Sequence, residues 1–395
     1  MAEILVSPGV LANENDQSFV TQQPVTLGAA LIGPTVKGPV EDPVLVTTFS
    51  DYSSRFGTSL QSGSGTYTPL TTLAAQNYFA NGGTSLTVAR AVPSASLWTF
   101  ATASVGTYIS HSFNGGAVLT SSVVNPGETG FGSIAYYTAS VTIESLDKGI
   151  EFNNSGSLLA NDALSTGSVD NIRWEVATNN TSSGLFSLVI RRGDDTDVNK
   201  VVLETFPNLS LDETQPNYIS AVIGDQTRNY NATENYIEIS GSHPNNSRYI
   251  RIKTVNRPTY NFLDNAGNAR PQFTQSIPSL RSGSYAGAFA GGIGSNFQNQ
   301  GIAAVGATNY YDAINASNTQ GLVGKDYNNM ISLLANQDDF SFNAIATPGI
   351  YYDDYSSQVT TIINNTQVRG DNLFILDLVA WGSTINNVVT EAGNL

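Results

Sequence analysis

The hydrophobic pattern of the chain changes character twice. Between residues 28 and 92, short apolar runs alternate with stretches in which apolar residues recur at helical spacing. The predicted strands of this part are 28–33, 44–48 and 85–92. A short helix is expected to begin at Ser50 and to end at Gly57. This part of the chain therefore predicts mixed β and α structure.

The clearest predicted helix is the stretch "TPLTTLAAQNYFANGG", residues 68 to 83. Thr68 is expected to cap its first turn, because a threonine hydroxyl can accept a hydrogen bond from a free backbone N–H there. Pro69 then occupies the first helical position, where its missing N–H costs nothing. Gly82 and Gly83 are expected to end the helix.

From about residue 95 to residue 275 the period becomes two. The runs with this alternation are "GLFSLVIRR", "KVVLETF", "YIEIS" and "YIRIKTV". Clusters of Asn, Gly, Asp and Ser separate them, as is typical of turns between antiparallel strands. This part predicts an all-β block.

After about residue 320 the helical spacing returns. In order, the segments are a helix "KDYNNMISLLANQ", a strand "FNAIATPG", a helix "SSQVTTIINNTQV", a strand "NLFILDLVA" and an amphipathic piece "TINNVVTEA". Strands that alternate with helices favour a parallel sheet. We therefore predict an α+β multidomain chain, in which an α/β core domain of residues 27–94 and 281–395 is interrupted by an inserted all-β barrel or sandwich of residues 95–280.

A loop near the N-terminus is stiffened by prolines. In "GAALIGPTVKGPVEDPVLVTTFSDYSSRFG", residues 28 to 57, Pro34, Pro39 and Pro43 follow the first strand, and nothing in the loop suggests chemistry. The loop has two possible roles: it turns the chain between two core strands, or it presents a rigid surface to another subunit. Both roles can hold together.

The amino-acid composition limits the classes of partner that the chain is expected to bind. The 395 residues carry 32 Asp and Glu against 17 Lys and Arg, a net charge of −15, and the densest basic cluster is Arg191-Arg192. Phosphate binding needs a concentrated positive patch, so nucleic acid is not an expected partner. No apolar run reaches the 18 residues of a membrane-spanning helix, so no membrane partner is expected. The chain has no cysteine, which excludes disulfides and thiolate sites.

The search for catalytic or binding chemistry yields little. His111 and His243 are far apart in sequence and favour surface or turn positions over a metal site or a triad. No serine has glycines two residues before and after it, so the nucleophile elbow is absent. The stretch "AGGIGSNFQNQG" has Phe297 where a dinucleotide fingerprint needs glycine, and Gly324-Lys325 is followed by Asp326. We predict no catalytic residue, no metal and no cofactor.

Two acidic clusters lack the spacing of a calcium loop. The first, "RRGDDTD" at 191–197, is interpreted as a solvated turn. The second, "YYDDY" at 351–355, places Asp353 and Asp354 just before a helix, where negative charge offsets the helix dipole.

Several motifs in a fixed order resemble one protein family. They are "LVSPGV", "GAALIGPTVKGPV", "TTFSDYSSRFG", "AAQNYFANGGTSLTVARAV", "SLVIRRGDDT", "SRYIRIKTV", "NAIATPGIY" and "QVRGDNLFILDL". Together they resemble the contractile tail sheath proteins of myovirus-type bacteriophages. The resemblance covers most of the chain and is loosest at about residues 95–180.

The resemblance implies a fold and a function. In that family an extended N-terminal arm, here residues 1–26, pairs with neighbouring subunits, and the inserted β domain protrudes from the core. Hexameric rings stack around a tail tube and contract during genome injection. The implied partners are further copies of the chain, the tail tube protein, and the baseplate and tail terminator proteins, in a virion tail assembled in the host cytoplasm.

Candidate subunit contacts follow from the arm and the proline loop. They are Ile4, Val6, Pro8, Val10, Val20, Pro34, Lys37 and Pro39. Arm pairing needs only backbone groups and alternate side chains.

One departure from the family is that its members continue beyond the point where this sequence stops, just after "LFILDL". The expectation is a chain that lacks the family's C-terminal part. It is expected to stay monomeric or to associate irregularly, with raised mobility after about residue 370, and not to form contractile tubes alone. An alternative function is a β-rich phage protein that binds or hydrolyses polysaccharide, since Trp98, Trp174 and paired acids could serve a sugar site.

Overall fold

The computed structural model describes residues 28–62, 65–113, 132–294 and 314–395, and they form a mixed α+β structure with several sheets. The elements in chain order are β1 (Ala29–Gly33), β2 (Val44–Val46), α1 (Phe49–Phe56), β3 (Leu60–Ser62), β4 (Gly65–Tyr67), α2 (Leu70–Ala80), β5 (Leu86–Arg90), β6 (Phe100–Phe113), β7 (Gly132–Lys148), β8 (Ile172–Asn180), β9 (Leu185–Arg192), β10 (Val202–Leu209), α3 (Ile219–Ile223), β11 (Thr227–Asn231), β12 (Tyr236–Ser240), β13 (Ile250–Val255), α4 (Pro271–Thr274), α5 (Asn328–Leu333), β14 (Ala344–Tyr351), α6 (Tyr352–Arg369), β15 (Leu373–Asp377) and α7 (Ile385–Asn394).

Strands from both ends of the chain share one sheet. Its order in the described residues is β15-β14-β1-β5-β2. The pairs β15–β14, β14–β1 and β1–β5 are parallel, which confirms the predicted parallel sheet. The edge strand β2 is antiparallel to β5, because the proline loop reverses the chain direction after β1.

The two faces of this sheet pack against different helices. On one face α1 and α2 cover β1, β5 and β2, with Leu31, Leu86 and Val88 buried against Tyr52 and other α1 and α2 residues. On the other face α5 and α6 pack over the alternate residues, such as Ala30, Ile32 and Ile345. The alternation of a strand's side chains between the two faces explains why β1, β5 and β14 contribute to both clusters.

The cap of α2 differs from the sequence prediction. The N-cap residue is Pro69, not Thr68, and no side chain of the helix's own start caps it. Instead, the backbone N–H of Leu70 donates to Gln320 Oε1 at 2.8 Å, across 250 positions of sequence. The prediction of a Thr68 cap is wrong because a distant amide satisfies the free N–H first.

Most strands between residues 100 and 255 pack around a separate hydrophobic cluster. Its buried members all lie between Ala101 and Phe289 and include Trp174, Leu188 and Ile252. Two antiparallel three-stranded sheets contribute, β10-β9-β8 and β13-β7-β6, together with the short helices α3 and α4. The domain boundaries drawn from the sequence stay predictions.

The turn after β9 also differs from the sequence prediction. Residues 191–197 were expected to form a solvated turn, but Arg191 and Asp195 are buried. Arg191 Nε and Nη2 donate to the two carboxylate oxygens of Asp195 at 2.7 and 2.9 Å, and Nη1 donates to Glu175 Oε2 at 2.6 Å. The sequence shows the charges but not Glu175 on β8, which the β8–β9 pairing brings beside Arg191.

Candidate assembly surface

The proline loop packs against its own chain. Pro34 and Lys37 are buried, and Lys37 Nζ lies 3.2 Å from Asp170 Oδ1 in the β-rich part. The fully buried Arg90 donates from Nη1 to Gly38 O at 2.6 Å. These bonds tie the loop to β5 and to the β-rich part, so its role as a turn is built into the chain.

Little surface of this loop remains for another subunit. Pro39 is half-buried and faces a cleft, whereas Pro34 and Lys37 are enclosed. Contact with a neighbour through these three residues stays a prediction. The five predicted contacts of the arm lie outside the described residues: Ile4, Val6, Pro8, Val10 and Val20.

A charged cleft separates the proline loop from the β-rich part. It has a volume of about 330 Å³, and Arg228 closes one side by donating to both carboxylate oxygens of Asp42 at 2.7 and 3.0 Å. Asp147 lines this cleft and the hollow next to it. Burial raises the pKa of Asp147 to about 6, although Arg55 and Arg90 act to lower it. Ion pairs thus connect the proline loop to the β-rich part at this cleft, and the pKa of one carboxyl in the cleft, that of Asp147, is raised.

The edge strand β15 stands out by its exposed apolar side chains. Leu373 and Ile375 are 68% and 58% exposed and point to the face of the sheet that carries α2. Phe374, between them, packs on the opposite face with the α6 cluster. In the described residues β15 pairs only with β14, so its outer backbone edge is open. An exposed apolar edge strand is a template for another strand.

A groove lies beside α2 where the sheet has no helix over it. Two adjoining hollows of about 650 and 630 Å³ share Ala74, Asn77, Ala346 and Ile375 in their linings. Trp381, 85% exposed, stands at the rim. The floor is apolar and shallow because β14 presents alanines on this side.

The last helix, α7, is exposed along its length. Ile385, Val388, Val389 and Leu395 form an apolar stripe at helical spacing, and every one of them is exposed. Thr384 caps the helix by accepting from the N–H of Asn387 at 3.3 Å. The amphipathic pattern predicted for this segment is confirmed.

We name the set of β15, the groove and α7 the C-terminal surface. It carries seven of the 24 exposed large apolar side chains in the described residues: Leu373, Ile375, Trp381, Ile385, Val388, Val389 and Leu395. A concentration of this kind marks an interaction site. Sequence reasoning missed Trp381, although a tryptophan in the polar turn "WGST" is a usable signal.

The residues considered for chemistry are not brought together. His243 Nδ1 lies 3.0 Å from Asp225 Oδ2, and hydrogen bonds from His243 and Ser242 lower the pKa of Asp225 although its burial acts the other way. His111 is on β6, opposite Ile134. Asp225 also accepts from the His243 and Ser242 N–H groups, so this pair closes a turn.

Trp98 and Trp174, considered for a sugar site, are buried at 4% and 3% exposure. Trp98 Nε1 donates to Pro93 O at 2.8 Å, and the Arg90 guanidinium lies over its ring. Neither indole face is open to a sugar, so the expectation that they serve one is wrong.

The second acidic cluster lies inside a helix and not just before it, because the helix begins earlier than predicted. Asp353 and Asp354 occupy the first turn of α6. Burial, and then the neighbouring Asp353, raise the pKa of Asp354. Among the residues that the structure describes, no group of three or more His, Cys, Asp or Glu could hold a metal ion. In the same residues, no helix has both the length and the apolar character needed to cross a membrane.

Comparison with known proteins gives low similarity. No protein-family model matches the chain, and no curated protein matches it. Among solved structures, the sheath tail protein of Listeria innocua is similar over 88% of this chain and 45% of that one, with 12% identity and a TM-score of 0.39. The sheath tail protein of Desulfitobacterium hafniense is similar over 92% and 51%, with 10% identity and a TM-score of 0.32. This chain spans about half the length of each of these two structures.

Proposed function

We propose that the chain is a structural subunit of a phage contractile tail sheath. The sequence motifs that resemble that family coincide with the elements of one sheet built from both ends of the chain. The motifs at 28–40 and 343–351 contain β1 and β14, which pair directly, and the motif at 367–378 contains β15. The long β-rich stretch between them fits an inserted, protruding part.

The observation that carries the proposal is the open edge of β15. Its outer N–H and C=O groups have no strand partner in the described residues, and Leu373 and Ile375 are exposed beside them. An extended segment can add to such an edge through backbone hydrogen bonds. The arm of a neighbouring copy, residues 1–26, has the required alternate apolar positions at Ile4, Val6 and Val10.

Repetition turns weak contacts into a lattice. Each backbone hydrogen bond of an added strand contributes about 0.5–1.5 kcal/mol net, so four or five decide assembly when every subunit repeats them. In this proposal hexameric rings stack around a tail tube, and baseplate and terminator proteins bound the two ends. Contraction is a rigid-body rearrangement of subunits, and it needs no catalytic residue or nucleotide.

No observation favours the polysaccharide alternative, since Trp98 and Trp174 are buried. A discriminating image is negative-stain microscopy of the full chain at increasing concentration. The proposal expects open, concentration-dependent polymers or rings. Discrete oligomers of one size at all concentrations, without rings or polymers, contradict it.

The role of the N-terminal arm in association is tested by placing a carboxylate on one side or the other of the added strand. Val6→Asp puts a carboxylate on the apolar side of the added strand, whereas Ser7→Asp puts the same charge on the opposite side. We expect Val6→Asp, and deletion of residues 2–20, to abolish association while the unfolding midpoint stays unchanged. Ser7→Asp should associate like the parent chain. Polymers from the deleted chain would overturn the role of the arm.

A further inference from the structure

Positively charged side chains converge where the proline loop meets the β-rich part. Seven of the 17 Lys and Arg residues line the charged cleft or the hollow next to it, against three of the 32 Asp and Glu residues. The seven are Lys37, Arg55, Lys148, Arg192, Arg228, Arg248 and Arg251. No two of them are adjacent in sequence, so only the fold brings them together. In a chain with a net charge of −15, this junction has a local excess of positive charge.

Five of the seven side chains already have a carboxylate partner within ion-pair distance. The pairs are Lys37–Asp170, Arg192–Asp194, Arg228–Asp42, Arg248–Asp51 and Arg251–Glu144. Arg55 and Lys148 have no carboxylate at that distance in the described residues. Arg55 Nη1 donates to Arg248 O, and Lys148 Nζ donates to Asn229 Oδ1, each at 3.5 Å, which is long for a hydrogen bond. These two cations are therefore available to a ligand.

Both cations line one cleft but come from its two sides. Arg55 lies in the last turn of α1, and Lys148 is the last residue of β7 in the β-rich part. Lys148 Nζ lies 5.1 Å from the centroid of the Phe100 ring, and burial lowers the pKa of Lys148 although Glu41 acts to raise it. A half-buried ammonium whose charged form is disfavoured by burial is stabilised by an anion beside it.

The cleft has the size and the polarity for a small anion. Its volume of about 330 Å³ is near the low end of the range of small-molecule sites, about 300–1,000 Å³. Gln226 adds a side-chain amide to the lining, and an amide can donate hydrogen bonds to an anion. The Asp42 carboxylate in the same cleft is held through both of its oxygens by Arg228, so it does not neutralise Arg55 or Lys148.

We propose that this cleft binds one small oxyanion of the sulfate or phosphate class between Arg55 and Lys148. Guanidinium and ammonium groups bind such oxygens through charge-assisted hydrogen bonds. The ligand is a single small anion rather than a nucleic acid, because five of the seven cations are paired with carboxylates of the chain itself. A bound anion would connect α1 to β7. The inference does not rest on the proposed assembly, because both side chains belong to one copy.

Asp147 couples this site to pH, because its carboxyl lines the same cleft and competes with the anion for Arg55. The charged and titratable groups that face it are the seven cations, Asp42, Asp170, Arg90 of β5 and Tyr249. An anion beside Asp147 would raise the pKa of its carboxyl further, so binding takes up a proton. Since burial already raises that pKa to about 6, the affinity should fall as the pH rises through this value.

Calorimetric titration of the full chain with sulfate tests the site at a constant ionic strength, which sodium chloride maintains. Sulfate is the probe because its charge does not change over the pH range used. We expect one saturable site and a higher thermal unfolding midpoint in sulfate than in chloride. Arg55→Gln and Lys148→Gln should each weaken binding by about tenfold or more, because each removes one cation from the anion. Lys325→Gln removes an exposed cation elsewhere and should change the affinity less than about twofold.

Two further variants separate the loss of charge from the loss of fold. Lys148→Arg keeps the charge and should bind sulfate more tightly than Lys148→Gln. Asp147→Asn should have an affinity that varies less between pH 5 and pH 8 than that of the parent chain. Three outcomes overturn the inference: equal effects of sulfate and chloride, equal weakening by Arg55→Gln and Lys325→Gln, and an affinity of the parent chain that does not change with pH.

Discussion

The turn after β9 and the C-terminal surface are built on opposite principles. At the turn, Arg191 is fully buried, and its guanidinium donors reach Asp195, Glu175 and Asp197 inside the chain. At the C-terminal surface, apolar side chains face outward and β15 has one open edge in the described residues. A region whose groups are satisfied internally needs no partner. A region that leaves apolar groups and backbone unsatisfied indicates one.

The largest expected effect on stability comes from removing Arg191 from the buried turn after β9. Arg191→Ala leaves the buried Asp195 carboxylate without its main partner, which costs about 3–5 kcal/mol of unfolding free energy. Arg192→Ala, at the next position but part-exposed, should cost less than about 1 kcal/mol. Denaturant unfolding of the two variants gives the comparison. Equal costs would show that the buried network does not stabilise this turn.

The proline loop should be nearly as sensitive. Gly38 has φ +116°, and a Cβ added there would lie 2.5 Å from Phe56 Cδ1. Gly38→Ala should therefore cost about 2–4 kcal/mol, from backbone strain together with the clash. Gly82→Ala also has positive φ but meets nothing within 4 Å, so it isolates the strain at about 1 kcal/mol. If thermal unfolding shows no difference between Gly38→Ala and Gly82→Ala, the packing of the loop against Phe56 does not contribute to stability.

Asp147, in the cleft beside the proline loop, predicts that the free energy of unfolding depends on pH. Because burial raises the pKa of Asp147 from 3.8 to about 6, the folded chain holds this proton more tightly than the unfolded chain. Its contribution is fully present below pH 4 and is lost as the pH rises through 6. Asp147→Asn should flatten this slope and raise the unfolding free energy at pH 7.5 by about 1–2 kcal/mol. The exposed Asp338→Asn is the control, and an unchanged slope for Asp147→Asn contradicts the assignment.

The smallest effect on stability belongs to the C-terminal surface. Ile375→Asp should change the unfolding free energy by less than about 1 kcal/mol, since the side chain is already exposed. It should nevertheless abolish self-association. Val368→Asp, at an exposed apolar residue outside the groove, should leave association intact. Sedimentation velocity measures the association of both variants. A loss of stability in Ile375→Asp without a loss of association would contradict the difference between the two regions.

The periodicity of apolar residues was sufficient to predict the strands and helices, but not the distant residues with which they form hydrogen bonds. The alternation of strands and helices after residue 320 predicted the parallel sheet, and the stripe in "TINNVVTEA" predicted α7. The cap of α2 came from Gln320, and the partner of Arg191 came from Glu175 on another strand. Such contacts depend on the three-dimensional pairing of strands, which no local pattern carries.

The candidate site was predictable in part for the same reason. The exposure of β15 follows from an apolar strand that ends a sheet, and the sequence showed that strand. The groove depends on which face α2 covers, and Trp381 lines it from a turn. Lys37 is an instructive residue: its contact with another subunit stays a prediction, and its ion pair with Asp170 gives its charge a partner inside the chain that no local pattern showed.

The most direct test of the central claim is amide hydrogen exchange at two protein concentrations. In dilute solution β15 and α7 should exchange quickly, because their outer faces lack partners, while β8 and β9 stay protected. At a concentration that gives polymers, protection should rise at β15 and α7 and remain unchanged at β8 and β9. Protection of β15 and α7 that does not depend on concentration would contradict the assignment of the C-terminal surface to assembly.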